Sequence, residues 1–309
     1  MSITTAPIPA TSAAAATPFS TSSLPQEEQD ELKAAIFKRL HPRVYLERFV
    51  AENVRPDGRE FGEWRPVSVD VGSISTADGS SLVKLGETII VCGVKAEIAE
   101  PELERPNEGF LVPNLDLPAM CSAKFKPGPP SEEAQVVSDR LNEAILASDM
   151  LSLRSLCIEP GKAAWVLYVD ATCLSYDGNV FDAALLAMVA ALINTRLPKA
   201  TFDEEAEHAV CSRNEKSPLA IERTRLPIAM SFGIFDSSRI FSDPTTFEQP
   251  LLDAQLSVVL DPQGDIIVTS QIGAPTQTWL SSSGEDALLS CIAAAKKRNR
   301  ILTEVINQI

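Results

Sequence analysis

The 309-residue sequence predicts an α+β fold made of two βαβ-type halves with mixed sheets and packed helices. One group of β-branched and aromatic runs ends before residue 100, and a second group begins after residue 226. Each group is followed by a stretch with apolar residues at helical spacing. Between the two groups, a strand pattern leads directly into a wholly apolar helix pattern, which we expect to lie at the centre of the fold.

Residues 1–25 consist mainly of Ala, Thr, Ser and Pro with few large apolar side chains, which predicts a disordered tail. The ordered domain is expected to span residues 26–309. The tail does not have the charged and apolar regions of a signal peptide, and no apolar run approaches the roughly 18 residues needed to cross a bilayer. We therefore expect a soluble intracellular protein without a membrane partner.

The net charge of −15 and the pI of about 4.7 argue against a broad nucleic-acid-binding surface, because such surfaces cluster Lys and Arg. Any RNA contact is expected to be local. The six Cys are scattered without a CxxC pair, and only two His are present, so a zinc site has little support. Mostly buried, reduced thiols are expected instead. We expect no metal and no cofactor.

The first half begins with two predicted short helices within residues 27–53, interrupted at His41-Pro42. Residues 55–59, RPDGR, follow in an order that a type I turn accepts. Alternating or β-branched runs then predict antiparallel strands at residues 67–71, 81–85 and 88–97. Residues 103–130 are rich in Pro, Gly and Asn, which indicates strand edges and a long loop. Residues 132–150 have the periodicity of a helix with one face on the sheet.

In the second half, residues 213–225 are polar and are interpreted as a crossing between the two groups of strands. Residues 261–264, DPQG, predict a hairpin turn, and residues 285–309 predict a closing helix on which the basic run 296–300 forms a solvated face. The predicted strands cover residues 227–235, 239–242, 255–260 and 265–269.

The central unit is a buried strand over residues 165–175, a turn at residues 176–179, and a helix. Asn179 with Asp182 three residues later has the pattern of a capping box, in which the side chains satisfy free backbone N–H groups at the helix start. Residues 183–193 are apolar on every side, so the helix is expected to be buried.

This unit, together with RPDGR upstream, resembles the RNase PH family of phosphorolytic exoribonucleases from about Tyr45 to the C-terminus. The resemblance implies an RNase PH-like fold of the ribosomal protein S5 domain 2-like type. Active members carry, shortly after the first Gly of the turn, an Arg that grips the attacking phosphate. The matching position is Phe181, whose ring cannot bind phosphate as the planar fork of an Arg does. We expect Phe181 to fill core.

Two further places depart from the active pattern. Active members carry several Arg where this chain has Glu132 and Glu133 at the start of a helix. Two catalytic Asp positions fall on Gln249 and Gln255, and an amide side chain cannot exchange a proton near neutral pH. The remaining acids resemble a metal cluster but are interpreted as turn and surface residues: Asp243, Glu248 and Asp253.

The resemblance therefore implies a catalytically silent, RNase PH-like ring subunit of the eukaryotic RNA exosome. Implied partners are other RNase PH-like ring subunits, three RNA-binding cap subunits, a separate hydrolytic nuclease and the single-stranded RNA that reaches it. The implied location is the cytoplasm and the nucleus, including the nucleolus. Within that set, three runs are most similar to one particular subunit type: residues 72–79, residues 94–97, and residues 120–122 with 128–130.

Lys124 and Lys126 flank Phe125 in a loop that faces the ring channel in family relatives, and two cations with an aromatic ring suit a passing single strand. A solvated loop with a packing Phe explains the same residues. Two other functions stay open: an active phosphate-dependent 3′–5′ exoribonuclease, against which Phe181, Gln249 and Gln255 argue, and an unrelated small-molecule enzyme, for which no Gly-rich phosphate loop or nucleophile elbow is found.

Overall fold

The computed structural model describes residues 26–203, 208–236, 239–273 and 282–309, so the predicted tail at residues 1–25 lies outside the described residues. Contacts divide the chain into two units, residues 1–48 and residues 49–309. Helix α1 spans Gln26–Leu40 and helix α2 spans Pro42–Ala51, which confirms the predicted interruption at His41. None of the helices in the described part of the chain combines the length and apolarity that crossing a bilayer requires.

A six-stranded sheet forms the first half of the larger unit. Its order is β1-β2-β3-β6-β4, and β5 pairs with β6. The antiparallel meander of β1, β2 and β3 confirms the strand predictions, whereas β4 is a full parallel partner of β6 inside the region interpreted as strand edges and loop. The strands are β1 Val67–Val71, β2 Gly79–Leu85, β3 Thr88–Ala99, β4 Phe110–Asp116, β5 Cys157–Glu159 and β6 Ala163–Ser175.

Three further helices pack on this framework: α3 Glu132–Ser148, α4 Val180–Asn194 and α5 Ser282–Asn307. Every residue from 180 to 192 is buried, because α4 lies between the six-stranded sheet and a strand of the second sheet. The expected burial of this helix is confirmed. The expected capping box is wrong: Asn179 lies in the left-handed region with φ 50° and makes no capping hydrogen bond. Its Nδ2 instead donates to the Asp182 and Asp243 carboxylates.

The polar crossing predicted at residues 213–225 is only partly correct. Strand β7, Arg196–Asp203, pairs with strand β8, His208–Pro218, in a separate two-stranded hairpin. Exposed positions recur along β7, so this hairpin has too few apolar residues to give a strong strand signal. Because of this polar composition, the sequence did not predict either strand.

The second sheet contains β9 Ile228–Phe235, β10 Arg239–Ser242, β11 Ala254–Leu260 and β12 Ile266–Gly273, in the antiparallel order β10-β9-β11-β12. The predicted turn after β11 is confirmed, since the Gly264 amide donates to the Asp261 carbonyl at 3.0 Å. On α5, Lys296, Lys297 and Arg300 are exposed as predicted. Asn299 is buried, contrary to the expected solvated face, because its amide donates to the Asp261 carbonyl.

All six cysteines are free thiols. Four of them are buried, Cys157 is partly buried and Cys211 is exposed, so the prediction of mostly buried, reduced thiols is confirmed. Burial raises the pKa of the Cys291 thiol to about 12. Such thiols remain protonated and unreactive at neutral pH.

Candidate functional site

A cleft of about 500 Å³ lies where the start of α3, the turn between β6 and α4, and the segment after β10 meet. It brings together four of the five predicted site residues: Lys124, Phe181, Gln249 and Gln255. Lys126 is not among the residues that line it. The rest of the lining mixes apolar and polar side chains: Glu132, Glu133, Val136, Val137, Arg140, Tyr176, Asn179, Val180, Ser231, Pro244, Thr246, Pro250, Ser257 and Ile272.

Gly178 allows a close backbone approach at the turn between β6 and α4, beside this cleft. Its φ is +78°, and a Cβ atom added there would lie 2.6 Å from the backbone nitrogen of Thr246. Only glycine meets both conditions, because other residues avoid this backbone region and carry the clashing atom. The turn can therefore press directly against residues 244–246.

Phe181 packs into the wall of the cleft, as the sequence predicts. The ring is 6% exposed, and the Arg140 guanidinium carbon lies 4.2 Å from its centroid. Within the described structure, the buried Nε and Nη2 atoms of Arg140 have no hydrogen-bond partner. Burial lowers the pKa of Arg140, despite the charges of Asp182 and Glu143. The Arg140 cation therefore stacks against the Phe181 ring in the wall of the cleft.

Tyr176 connects the two sides of the cleft. Its hydroxyl lies 2.8 Å from Glu133 Oε1 and 3.2 Å from Gln249 Oε1. Burial and the neighbouring Glu133 charge raise the pKa of Tyr176, so the hydroxyl stays protonated and acts as a donor. Gln255 Nε2 donates weakly to the Gln249 carbonyl at 3.5 Å. The two glutamines thus present neutral amides to the cleft.

Lys124 lies at the rim and is ion-paired with Glu133. Its ammonium lies 5.4 Å from the Phe125 ring centroid and 5.3 Å from that of Tyr176. Phe125 is buried and packs edge-on against Tyr176, so it is a packing residue. Lys126 is exposed. The sequence analysis treated the two lysines as a pair, but the structure gives them different environments.

Behind the cleft lies a buried ionic cluster that sequence reasoning missed, formed by Arg55, Arg65, Asp243 and Glu248. Arg55 and Glu248 are 0% and 1% exposed and form an ion pair, and Arg55 Nη1 also donates to the Ser242 carbonyl at 2.7 Å. Arg65 donates from Nε and Nη2 to the Asp243 carboxylate, each at 2.7 Å. The interpretation of Asp243 and Glu248 as surface residues is wrong, because both carboxylates are enclosed and paired.

The RPDGR motif forms the predicted turn, with the Gly58 amide donating to the Arg55 carbonyl, but it also supplies one cation of this ionic cluster. Burial alone would raise the pKa of Asp243; the hydrogen bonds and charge of Arg65 hold that pKa below its usual value. The cluster is structural, since its charges are paired with one another and with Arg59 and Asp177 at its edge. The motif was visible in the sequence, but its distant partner was not.

Asp182 joins the ionic cluster to the cleft. Its carboxylate accepts from the Ser231 amide at 2.7 Å and from the Ser231 hydroxyl at 2.6 Å. Complete burial raises the pKa of Asp182 to about 6, and the hydrogen bonds from Ser231 and Asn179 only partly offset it. Among the residues that the structure describes, no group of three or more His, Cys, Asp or Glu side chains could hold a metal ion.

Comparisons with known proteins show which family this chain resembles. The model of the 3′ exoribonuclease family matches domain 1 at residues 63–198 and domain 2 at residues 225–298. The exosome complex component rrp43 of Schizosaccharomyces pombe is 43% identical over 239 residues, which cover 77% of this chain and 87% of that protein. It is of the subunit type that the three sequence runs predicted.

Two archaeal proteins extend the comparison. The exosome complex component Rrp42 of Pyrococcus furiosus is 34% identical over 282 residues, covering 91% of this chain and 96% of that protein. A solved structure described as the Archaeoglobus fulgidus exosome with RNA bound to the active site matches with a TM-score of 0.71 and 31% identity, covering 84% of this chain and 97% of the matched chain. The expected fold class is confirmed.

Proposed function

We propose, from the premise that this chain belongs to the 3′ exoribonuclease (RNase PH) family, that it is a non-catalytic structural subunit of the RNA exosome ring. Its partners are other RNase PH-like ring subunits, the cap subunits and an associated hydrolytic nuclease. Two relatives that are named as exosome components support this assignment, because each aligns with this chain over most of its own length. The matched solved structure of an exosome supports it independently.

The composition of the cleft carries the non-catalytic part of the proposal. Phosphorolysis needs phosphate held in line with the scissile bond and a carboxylate that assists as an acid or metal ligand. The cleft instead presents the ring of Phe181 and the neutral amides of Gln249 and Gln255. Its two lining cations are already engaged by other residues of the cleft, Lys124 by Glu133 and Arg140 by the Phe181 ring.

In this proposal the ring guides single-stranded RNA to the separate nuclease, and the loop that carries Lys124 and Lys126 lies beside the RNA path. The chain then serves 3′–5′ processing and decay of rRNA, mRNA and other RNAs in the cytoplasm, the nucleus and the nucleolus. The net charge of −15 agrees with a local contact, since a broad basic surface is not available.

Purification of the tagged chain from its own cells tests the assignment. The chain is expected to co-purify with other ring subunits, and a lone monomer would contradict ring membership. The purified chain, freed of the associated nuclease, is then incubated with single-stranded RNA and inorganic phosphate. No nucleoside diphosphates are expected. Their phosphate-dependent release would contradict the non-catalytic role while leaving ring membership intact.

A further inference from the structure

We infer that Glu133 is a positioning residue that holds Lys124 against the rim of the cleft, so that Lys126 is the cation through which this loop meets RNA. The inference rests on the proposed function, because it concerns the loop that guides RNA. It assigns different roles to two lysines that stand two positions apart.

The Lys124 ammonium contacts one anion and two aromatic rings, although its side chain is 54% exposed. Its ammonium pairs with the Glu133 carboxylate and lies over the rings of Phe125 and Tyr176 at 5.4 and 5.3 Å. Both kinds of contact favour a cation at this point. Lys124 therefore already has the negative partner that an RNA phosphate would otherwise supply.

Glu133 is itself fixed in place. Its second carboxylate oxygen accepts from the Tyr176 hydroxyl at 2.8 Å, so one side chain joins the loop to the turn before α4. The Tyr176 amide donates to the Cys121 carbonyl at 3.1 Å, and the Phe125 ring packs edge-on against Tyr176 at 5.2 Å. These contacts tie residues 121–125 to the cleft. We call residues 121–125, together with Glu133 and Tyr176, the latch.

Lys126 lies just beyond the latch. It is exposed, and within the described residues no hydrogen bond or ion pair is found for it. Two residues of chain span at most about 7 Å, so the anchored Phe125 and Lys124 confine where the Lys126 side chain can reach. The latch thus presents one free cation from a fixed base.

The salt dependence of RNA binding separates the two roles. Each phosphate that a protein cation neutralises on a single strand contributes about 0.7 to the slope of log affinity against log salt. An RNA phosphate that displaced Glu133 from Lys124 would exchange one ion pair for another and release little net counterion. Lys126 is therefore expected to contribute to the slope, and Lys124 is not.

The test measures binding of a long single-stranded RNA to the assembled ring across a salt series, with the nuclease inactivated. Lys126→Gln is expected to reduce the slope by about 0.7, and Lys124→Gln is expected to leave it unchanged. Glu133→Gln keeps the acceptor for Tyr176 but frees the Lys124 charge, so it is expected to raise the slope by about 0.7. The swap Lys124→Glu with Glu133→Lys rebuilds the pair and is expected to restore the wild-type slope.

A loss of slope in Lys124→Gln equal to that in Lys126→Gln would overturn the inference, as would an unchanged slope in Glu133→Gln. Hydrogen exchange of residues 121–126 in the RNA-free ring tests the latch separately. Lys124→Gln and Glu133→Gln should each speed exchange. The swap should slow it only by the share that depends on the ion pair, because the ammonium introduced by Glu133→Lys cannot accept a hydrogen bond from the Tyr176 hydroxyl. If the salt slope is the same in all variants but hydrogen exchange still responds to the substitutions at Lys124 and Glu133, the loop does not guide RNA. The contacts of the latch would then remain supported.

Discussion

The buried ionic cluster and the cleft lie on opposite sides of one chain segment, and they use charge in opposite ways. Asp243 and Glu248 point into the protein and are saturated by Arg65 and Arg55. Gln249 and Gln255, on the same segment, line the open side and carry no charge. The ionised groups lie where the fold itself supplies the partner charge, and the side chains that face the open cleft from this segment are neutral amides.

This comparison predicts that removing a polar group from the ionic cluster lowers the free energy of unfolding far more than removing one from the cleft. Asp243→Asn keeps the shape of the side chain but removes the carboxylate that Arg65 binds through both Nε and Nη2, leaving Arg65 with the partly exposed Asp177 as its anionic partner. Breaking a buried ion pair on one side costs about 3–5 kcal/mol, which is the largest effect expected. Urea unfolding of the purified chain, followed by tryptophan fluorescence, measures it.

The matched control is Gln255→Ala on the cleft side, which removes one weak hydrogen bond and should cost less than about 1 kcal/mol. Equal losses in the two variants would show that the ionic cluster is no more structural than the cleft.

The next largest effect is expected at Gly178, where the turn touches the segment that both sides share. Gly178→Ala forces a Cβ into the backbone of Thr246 at a positive φ and should destabilise the chain by about 2–4 kcal/mol. Gly62→Ala is the control, since nothing lies within 4 Å of a Cβ there. Thermal unfolding compares them; a Gly178 variant as stable as the control would show that the turn moves freely away from residues 244–246.

The elements around the cleft could be predicted because their signals are local. The apolar run of α4 and the β-branched runs of β1, β2 and β3 carry their periodicity within a few residues. Phe181 was predicted as a core residue, and the structure buries it. The parallel strand β4 was not predicted because it lies in residues 103–130, whose Pro, Gly and Asn content indicates a loop, and because its partner β6 begins only at Ala163.

The ionic cluster could not be predicted, because its pairs are joined only by the fold. Arg65 and Asp243 stand 178 residues apart, and Arg55 and Glu248 stand 193 apart. Isolated acids in a polar segment resemble a turn or surface unless their burial is known. The prediction for Asn179 failed for a related reason. Its sequence fits a cap, but its backbone is left-handed and its Nδ2 donates to two buried carboxylates, one of them 64 residues away.

A smaller effect is expected from the titration of Asp182, which joins the two sides. Its pKa rises from 3.8 to about 6 on folding, so the folded chain holds a proton that the unfolded chain loses between about pH 4 and 6. This contribution to stability is complete below about pH 4 and is lost as the pH rises through about 6. In Asp182→Asn that loss is absent.

The stability of the wild type relative to Asp182→Asn should therefore fall by on the order of 2 kcal/mol between pH 4 and 7. The lowered pKa of Asp243 acts in the opposite direction and at lower pH, and it is present in both proteins. Urea unfolding of the two proteins at matched pH values measures the difference. A difference that does not change with pH would mean that Asp182 is ionised in the fold throughout.

The smallest effect on stability is expected when the carboxylates are returned to the open side. Gln249→Asp with Gln255→Asp changes two partly exposed positions and should alter the free energy of unfolding by less than about 1 kcal/mol, with repulsion from Glu133 as its main cost. Activity is not expected to return, because Phe181 still occupies the position of the phosphate-binding cation and Arg140 stays stacked on its ring. The assay is phosphate-dependent release of nucleoside diphosphates from single-stranded RNA. Release by this double variant would mean that the two amides alone keep the cleft silent, and that the ring of Phe181 is no barrier to phosphate.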